Sequence, residues 1–358
     1  MRKVTMRDVS RATGLSMFTV SKALNGGEGV SEESLKMILL AARELGYVPN
    51  RAAQELRRSS RDSVAVITAD ASNSYYLNLM SGIQHTLRPS NWTVVVGDVA
   101  VDGVYDPCLE DRMIKRLIES RMAGVISTLT LSPDNIRLLE TWDIPIVFVD
   151  SAPVGENTYP SVTTDNFNAS LLVGDHLAYH GYREWLFLIY PEKWTTRFER
   201  ERGIREAARR HGAQLVVLES DNDTHSAYAK LGQYLEKTAR LPDVLIAGNN
   251  PLLLGALKLL QDRRIAIPAD MALMGYDEFD WAPLLNPPLT TLNEHSEEIG
   301  RRAAGLLVAL IGEQTGPDNA APSSASRREY QQQVPAELIV RQSCGCGLPA
   351  LPKKKKES

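Results

Sequence analysis

The feature that most constrains this chain is a series of short β-branched runs that alternate with helical patterns between residues 63 and 275. The runs are Val64-Ala65-Val66-Ile67, Val94-Val95-Val96, Gly124-Val125-Ile126 and Ile144-Pro145-Ile146-Val147-Phe148-Val149, then Leu186-Phe187-Leu188-Ile189, Leu215-Val216-Val217-Leu218, Val244-Leu245-Ile246-Ala247 and Met271-Ala272-Leu273-Met274-Gly275. Apolar runs without polar alternation are buried on both faces, the pattern of parallel strands covered by crossover helices. Eight such units are many for one open sheet, and the polar, Pro-containing stretch 151–165 divides them four and four. The pattern predicts an α/β body of two doubly wound lobes with a cleft between them, because ligands of such sheets sit beyond the carboxyl ends of the strands.

Ahead of this body the texture is purely helical. Thr5 can cap a helix with Met6, Val9 and Ala12 at three-residue spacing and Asp8 at its N-terminal end, where the helix dipole favours it. Thr13-Gly14-Leu15 breaks that helix, and Ser16 caps a second one carrying Val20, Ala23 and Leu24, which Asn25-Gly26-Gly27 stops. Two helices joined by so short a Gly-containing turn predict a helix-turn-helix. A third helix from Ser31, with Leu35, Ile38, Leu39, Ala42 and Leu45 on its expected buried stripe, gives the pair a core to pack on. A fourth segment, Asn50 to Arg58, has only Ala52, Ala53 and Leu56 as apolar residues and is too short to be helical without support.

Charge separates the two parts. Residues 1–61 hold 11 Lys and Arg against 6 Asp and Glu, whereas the remainder holds 29 against 38. A basic head on an acidic body points to an anionic polymer as the head's partner. No apolar run reaches the roughly 18 residues needed to span a bilayer, and the polar start lacks the apolar core of a secretory signal, so the chain is expected to be cytoplasmic, with no membrane partner. The three cysteines, Cys108, Cys344 and Cys346, form no disulfide framework. Cys344-Gly345-Cys346 supplies only two of the four ligands a structural zinc needs, and the histidines, His176, His180 and His211 among them, are read as lacking metal-ligand spacing. The expectation is therefore no metal and no cofactor, with residues 344–358 a disordered tail. Without a phosphate-cradling Gly-rich loop after a strand or a Gly-x-Ser-x-Gly elbow, catalysis has little support.

The stretch from Val4 to Gly26, VTMRDVSRATGLSMFTVSKALNG, closely resembles the DNA-binding head of the lactose-repressor (LacI) family of bacterial transcription regulators. The likeness continues through VSEESLKMILLAARELGYVPNRAAQELR, which covers the third helix and the family's hinge helix, and through SNSYYLNLMSGI, TTDNFNASLLVGDHLAYHGYRE, RERGI, MGYDEFDWAPLLNPPLTTL and PAELIVRQS in the family's order. It implies a periplasmic-binding-protein-like body and boundaries at 1–49 for the head, 50–60 for the hinge helix and 61–343 for the effector and dimerisation domain. Lobe 1 is expected over about 61–161 and 291–322, and lobe 2 over about 162–290 and 323–343.

The resemblance also implies roles in the head. Met17, Phe18 and Lys22 occupy base-reading positions, and Thr5, Ser16, Thr19, Ser21 and Asn25 occupy phosphate-positioning ones; simple helix capping is the plain alternative for the hydroxyls, and a solvated lysine for Lys22. Met17 and Phe18 stand where polar side chains are more usual, and apolar contact with thymine methyls is the use that fits them. Leu56 matches the leucine that wedges into the minor groove, the alternative being packing on the body, and Asn50, Arg51, Ala53 and Arg57 flank it as groove and backbone contacts.

In the cleft the resemblance points to Tyr75 and Tyr76 after the first strand, and to Asp150, Asp165 and Asp277 at strand ends, where carboxylates suit sugar hydroxyls or serve as caps. Arg200, in Arg200-Glu201-Arg202-Gly203, is expected to reach into the cleft with its planar fork. Trp194, which either stacks on a ligand or covers the lobe edge, and Thr196 lie just upstream. Asn249 matches a ligand-contacting asparagine, while Asn250 stands where the family usually has an aspartate. The chain is thus expected to be a dimeric, ligand-responsive regulator that binds a pseudo-palindromic operator. The expected role is repression of carbohydrate-uptake or catabolism genes under a sugar or sugar phosphate. A purine-responsive member and an activator are the near alternatives, and a solute receptor or a sugar-processing enzyme the remote ones.

Overall fold

The computed structural model describes residues 3–24, 29–48, 61–68, 74–90, 92–101, 104–153, 159–192, 194–315 and 330–347. The chain divides into two units, Met1–Arg61 and Asp62–Ser358. Among the described residues no helix is long and apolar enough to cross a membrane.

The head contains α1 (Met6–Thr13), α2 (Met17–Leu24) and α3 (Glu32–Leu45). Both the backbone N–H and the hydroxyl of Thr5 donate to Asp8 Oδ2, at 2.8 and 2.6 Å, which ties down the start of α1. Gly14 ends α1 at φ +69°, a left-handed turn that costs glycine little. Ser16 and Ser31 then cap α2 and α3, each accepting the N–H of the residue three positions on. Val9, Val20, Ala23, Ile38 and Ala42 form the core. Leu39 and Leu45, expected on the buried stripe of α3, are instead exposed, as is Ala12. The face of α3 that carries Leu35, Ile38, Ala41 and Ala42 packs into this core, and Leu39 lies about 100° round the helix from Ile38. Asn25 and the whole hinge, with Asn50, Arg51, Ala53, Leu56 and Arg57, lie outside the described residues.

The body is built on two six-stranded sheets. The first has the order β13-β7-β6-β5-β1-β2, all parallel, from β1 (Ser63–Thr68), β2 (Thr93–Asp98), β5 (Gly124–Ser127), β6 (Ile146–Val149), β7 (Ser161–Thr164) and β13 (Gln331–Val334). The second has the order β14-β12-β11-β10-β8-β9. It uses β8 (Glu184–Ile189), β9 (Gln214–Glu219), β10 (Val244–Ala247), β11 (Ala272–Tyr276), β12 (Thr290–Asn293) and an antiparallel edge, β14 (Glu337–Ile339). A small hairpin, β3 (Ala100–Val101) with β4 (Val104–Tyr105), stands apart.

Helices α4 (Ser74–Leu87), α5 (Pro107–Glu119), α6 (Pro133–Thr141) and α11 (Ser296–Thr315) belong to the first lobe. The second lobe has α7 (Asn166–Tyr179), α8 (Thr196–His211), α9 (Thr224–Lys237) and α10 (Asn250–Asp262). The backbones of α4 and α11 cross closely: a Cβ added at Gly82 would lie 2.0 Å from the carbonyl oxygen of Glu297, and one at Gly300 would lie 2.1 Å from that of Leu79.

All eight anticipated strands are present, but the lobe boundaries shift. Residues 162–164 and 331–334, expected in lobe 2, form β7 and β13 of the first sheet, and 291–293, expected in lobe 1, complete β12 of the second. The chain therefore crosses between lobes after 164, after 293 and after 334. These short, hydroxyl- or amide-rich strands lack the apolar run that marks the others, and pairing along the sheets places them. Residues 344–347, expected in a disordered tail, are instead part of the fold: Cys344 is fully buried, and the chain up to 347 continues as turns, while 348–358 lie outside the described residues.

Candidate functional site

Between the carboxyl ends of the two sheets lies a cavity of about 470 Å³. Of the nine cleft residues picked out in the sequence, Tyr75, Tyr76, Asp150, Trp194, Thr196, Arg200, Asn249 and Asp277 line it. Asp165 does not. Its carboxylate caps α7, accepting the backbone and side-chain N–H of Asn168 at 3.3 and 2.7 Å, so the capping reading holds for it. A strand-end aspartate looks the same in sequence whether it turns toward the cleft or toward the next helix.

Asp150 follows β6 and Asp277 follows β11, equivalent places in the two lobes, and both have left-handed backbones, at φ +63° and +68°. Two non-glycine residues held there are a form of strain that concentrates at functional sites. Tyr75 donates its hydroxyl to Asp150 Oδ1 at 2.6 Å, and Asp277 Oδ2 accepts the backbone N–H of Asn250 at 3.0 Å. Burial, and then the nearby Glu294 carboxylate, push Asp150 up to about 7 and raise Asp277 well above the usual carboxylate range. Burial and Asp150 likewise keep the Tyr75 phenol protonated. Asn250 Nδ2 donates to Ser74 Oγ at 2.9 Å, a direct link between the lobes across the cavity. Asn249 caps α10 through Oδ1 and donates its amide to Asn222 at 2.6 Å.

Arg200 differs from its expectation. It does line the cavity, yet its fork is closed on protein: Nε donates to Asn166 Oδ1, Nη1 to the carbonyl of Gly248, and Nη2 to both oxygens of Glu294, all at 2.7–2.8 Å. The guanidinium also stacks 4.7 Å over the Tyr276 ring. Burial works against its charge, but Glu294, Tyr190, Asp277 and Tyr276 together more than offset this, so the group stays cationic. Glu294 accepts in turn from Thr164 Oγ1 at 3.0 Å. Arg200, at 5% exposure, and Glu294, at 2%, thus connect two of the interlobe crossovers. Glu294 was missed in the sequence because it follows a strand that has no apolar run. Tyr190, Thr128, Asn222, Asp223 and Trp281 also line the cavity without having been singled out. Tyr190 and Thr196 share a 2.7 Å hydroxyl pair, and Trp281 stacks on Phe279 at 3.8 Å.

In the head, the side of α2 turned away from Val20 and Ala23 presents Phe18, 76% exposed, and Met17, 43% exposed. Two large apolar side chains left in water on a short helix are unusual for a core helix and suit a surface that meets another molecule. Thr19 and Ser16 share a hydroxyl pair at 2.8 Å, so Ser16 serves as a cap, and Thr5 is likewise engaged with Asp8. Ser21 and Lys22 are half-buried.

One cluster brings together side chains that the sequence does not link. His176 and His180, four residues apart at the end of α7, meet Cys344 and Cys346, and one ligand atom from each comes within 4.8 Å of all the others. The i, i+4 spacing that puts two imidazoles on one helix face was present in the sequence, but the partner thiols lie more than 160 residues away.

Comparison with known proteins agrees with this architecture. Residues 5–50 match the model of bacterial regulatory proteins of the lacI family, and residues 174–344 match that of a periplasmic binding protein-like domain. The chain is 26% identical over 342 residues to the HTH-type transcriptional repressor CytR of Escherichia coli, covering 95% of this chain and 96% of that one. It is 26% identical to the ribose operon repressor of the same organism, covering 87% and 94%. The crystal structure of the lac repressor dimer bound to operator and an anti-inducer superposes with a TM-score of 0.79 at 22% identity, covering 96% and 99%. With a helix-turn-helix in its first unit and a two-sheet body with an interlobe cavity in its second, the chain belongs to the lacI family of DNA-binding transcriptional regulators.

Proposed function

We propose that this protein is a cytoplasmic repressor that binds a pseudo-palindromic operator as a homodimer and is controlled by a neutral polyhydroxylated effector, a sugar, held in the interlobe cavity. The observation that carries the choice of effector is a cavity lined by carboxyl groups in which no described cation is uncommitted. Asp150, Asp277 and Asp223 line it, and Glu294 stands behind Arg200. Among the described lining residues Arg200 is the one cation, and its fork is already committed to Glu294, Asn166 and Gly248. A phosphate would meet carboxylates there with no free cation to receive it, which removes support from a sugar phosphate. Hydroxyl groups meet acceptors at Asp150 and Asp277 from the two lobes, with Trp194 and Trp281 beside them as apolar ring surfaces. The kinship to a repressor of a ribose operon supports a sugar as the signal. The same aromatic rings suit the base of a neutral nucleoside, the second reading.

For the head, the exposure of Phe18 and Met17 supports their use against thymine methyls in a major groove, with Lys22 beside them as a polar reader. One helix-turn-helix offers few base contacts, so two-fold symmetry supplies the second half-site. Effector binding then shifts operator affinity by its differential affinity for the two lobe arrangements. A thermal-shift and calorimetry panel of pentoses, hexoses, disaccharides, nucleosides and their phosphates tests the effector. A neutral member is expected to bind, and a phosphate that binds more tightly than its neutral parent refutes the reading.

A further inference from the structure

We propose that His176, His180, Cys344 and Cys346 form a structural zinc site that clips the C-terminal segment of the described chain to helix α7 of the second lobe. Nothing in the effector or DNA readings uses these four residues. Their geometry is that of a ligand set. His176 Nε2 lies 3.3 Å from Cys344 Sγ and 4.0 Å from Cys346 Sγ, and His180 Nε2 lies 3.1 Å from Cys346 Sγ. A tetrahedral zinc with Zn–S of about 2.3 Å and Zn–N of about 2.0–2.1 Å requires ligand atoms roughly 3.3–3.8 Å apart, so small adjustments bring the four donors onto one ion. Two thiolates and two imidazoles arranged tetrahedrally are a donor set that selects zinc over magnesium, calcium or manganese. All four positions are filled by protein, which makes the site closed and structural.

The surroundings support metal ligation rather than a chance meeting of side chains. Gly345, between the two cysteines, has φ +99°, and a Cβ there would lie 2.9 Å from Tyr182 Oη, so the turn that aims both sulfurs at the histidines depends on glycine. Tyr182 Oη donates to the carbonyl of Cys344 at 2.8 Å, and its ring stacks on His180 at an interplanar angle of 16°. The backbone N–H of Arg341 donates to Thr290 Oγ1 at 2.9 Å, which leaves the hydroxyl proton to point at Cys344 Sγ, 3.1 Å away. A hydroxyl donor aimed at sulfur is an outer-shell contact that stabilises a metal-bound thiolate. The ion would tether the end of α7, whose first residue, Asn166, holds Arg200 in the cavity wall.

The test uses the full-length protein purified without a polyhistidine tag. Elemental analysis after dialysis is expected to give one zinc per protomer, and cobalt exchange is expected to give the visible absorption of a tetrahedral thiolate site. Cys346→Ser and His180→Gln, both at half-buried positions, are expected to lose that equivalent while circular dichroism stays native. Thr290→Val is expected to weaken zinc binding roughly 10- to 100-fold. Chelation should lower the melting temperature of the wild type and leave that of Cys346→Ser unchanged. Three results would each overturn the proposal: a wild type that takes up neither zinc nor cobalt, a Cys344–Cys346 disulfide found by mass in the freshly isolated protein, or a Cys346→Ser protein that retains one tightly bound zinc.

Discussion

Replacing Arg200 by Met tests whether the guanidinium is the charge that makes the cavity wall foldable. Arg200 and Glu294 are both buried and joined through two short hydrogen bonds, and Asp150 and Asp277 share the same guanidinium field. Removing one partner of a buried ion pair typically costs about 3–5 kcal/mol, because the other charge is left uncompensated. Here three carboxylates would be left, so Arg200→Met should fall at the upper end. Each kcal/mol moves the melting point by about 2–4 °C in domains of 150–250 residues and by less in larger ones, so a drop of roughly 5–15 °C is expected.

Glu294→Gln should cost less, about 1–3 kcal/mol. An amide oxygen can still accept from Nη2, and loss of the Glu294 charge relieves Asp150 and Asp277. The double variant should therefore be more stable than the sum of the single losses implies. Arg200→Met should also be worse at pH 8 than at pH 5.5, because its orphaned carboxylates can then be buried only by taking up protons. All five tryptophans, Trp92, Trp142, Trp185, Trp194 and Trp281, lie in the body, so their fluorescence during urea or thermal unfolding reports on the body alone. Equal, additive and pH-independent losses for the two single variants would refute the charge argument.

Three further outcomes are expected. Asp150 binds its proton more tightly in the folded protein than its ordinary value allows, so the stability it contributes is present at low pH and is lost as pH rises through about 7; Asp150→Asn should raise the melting point at pH 8 and give a smaller gain at pH 5. Phe18→Ala should weaken operator binding by about 1–3 kcal/mol while leaving binding to random DNA nearly unchanged, as titrations on both DNAs at one salt concentration will reveal; equal losses on the two would exclude base contact. Gly300→Ala should destabilise the body by several kcal/mol, since its Cβ would meet the backbone of α4 rather than a side chain that can turn away, and an unchanged urea midpoint would contradict that close crossing.

What could be read from the sequence and what could not divides along the range of the interaction. Val64 to Ile67 or Val244 to Ala247 declare themselves as strands because burial on both faces demands an unbroken apolar run, and Gly14 and Ser16 mark the helix-turn-helix because caps and left-handed turns are decided within a few residues. Asp150 and Asp277 were legible as cavity residues because the end of a doubly wound strand is where such sheets bind ligands. Asp165 has the same local signature and caps a helix instead. The strands Ser161–Thr164 and Gln331–Val334 carry no apolar run, and they exist because a sheet already formed by their neighbours offers an edge to pair with. Arg200 finding Glu294, and His176 and His180 finding Cys344 and Cys346, were likewise decided by tertiary structure alone. Chain segments far apart in sequence are brought together only when the second lobe folds around its sheet, and a charge or a ligand atom leaves no periodic trace of the partner that will neutralise it.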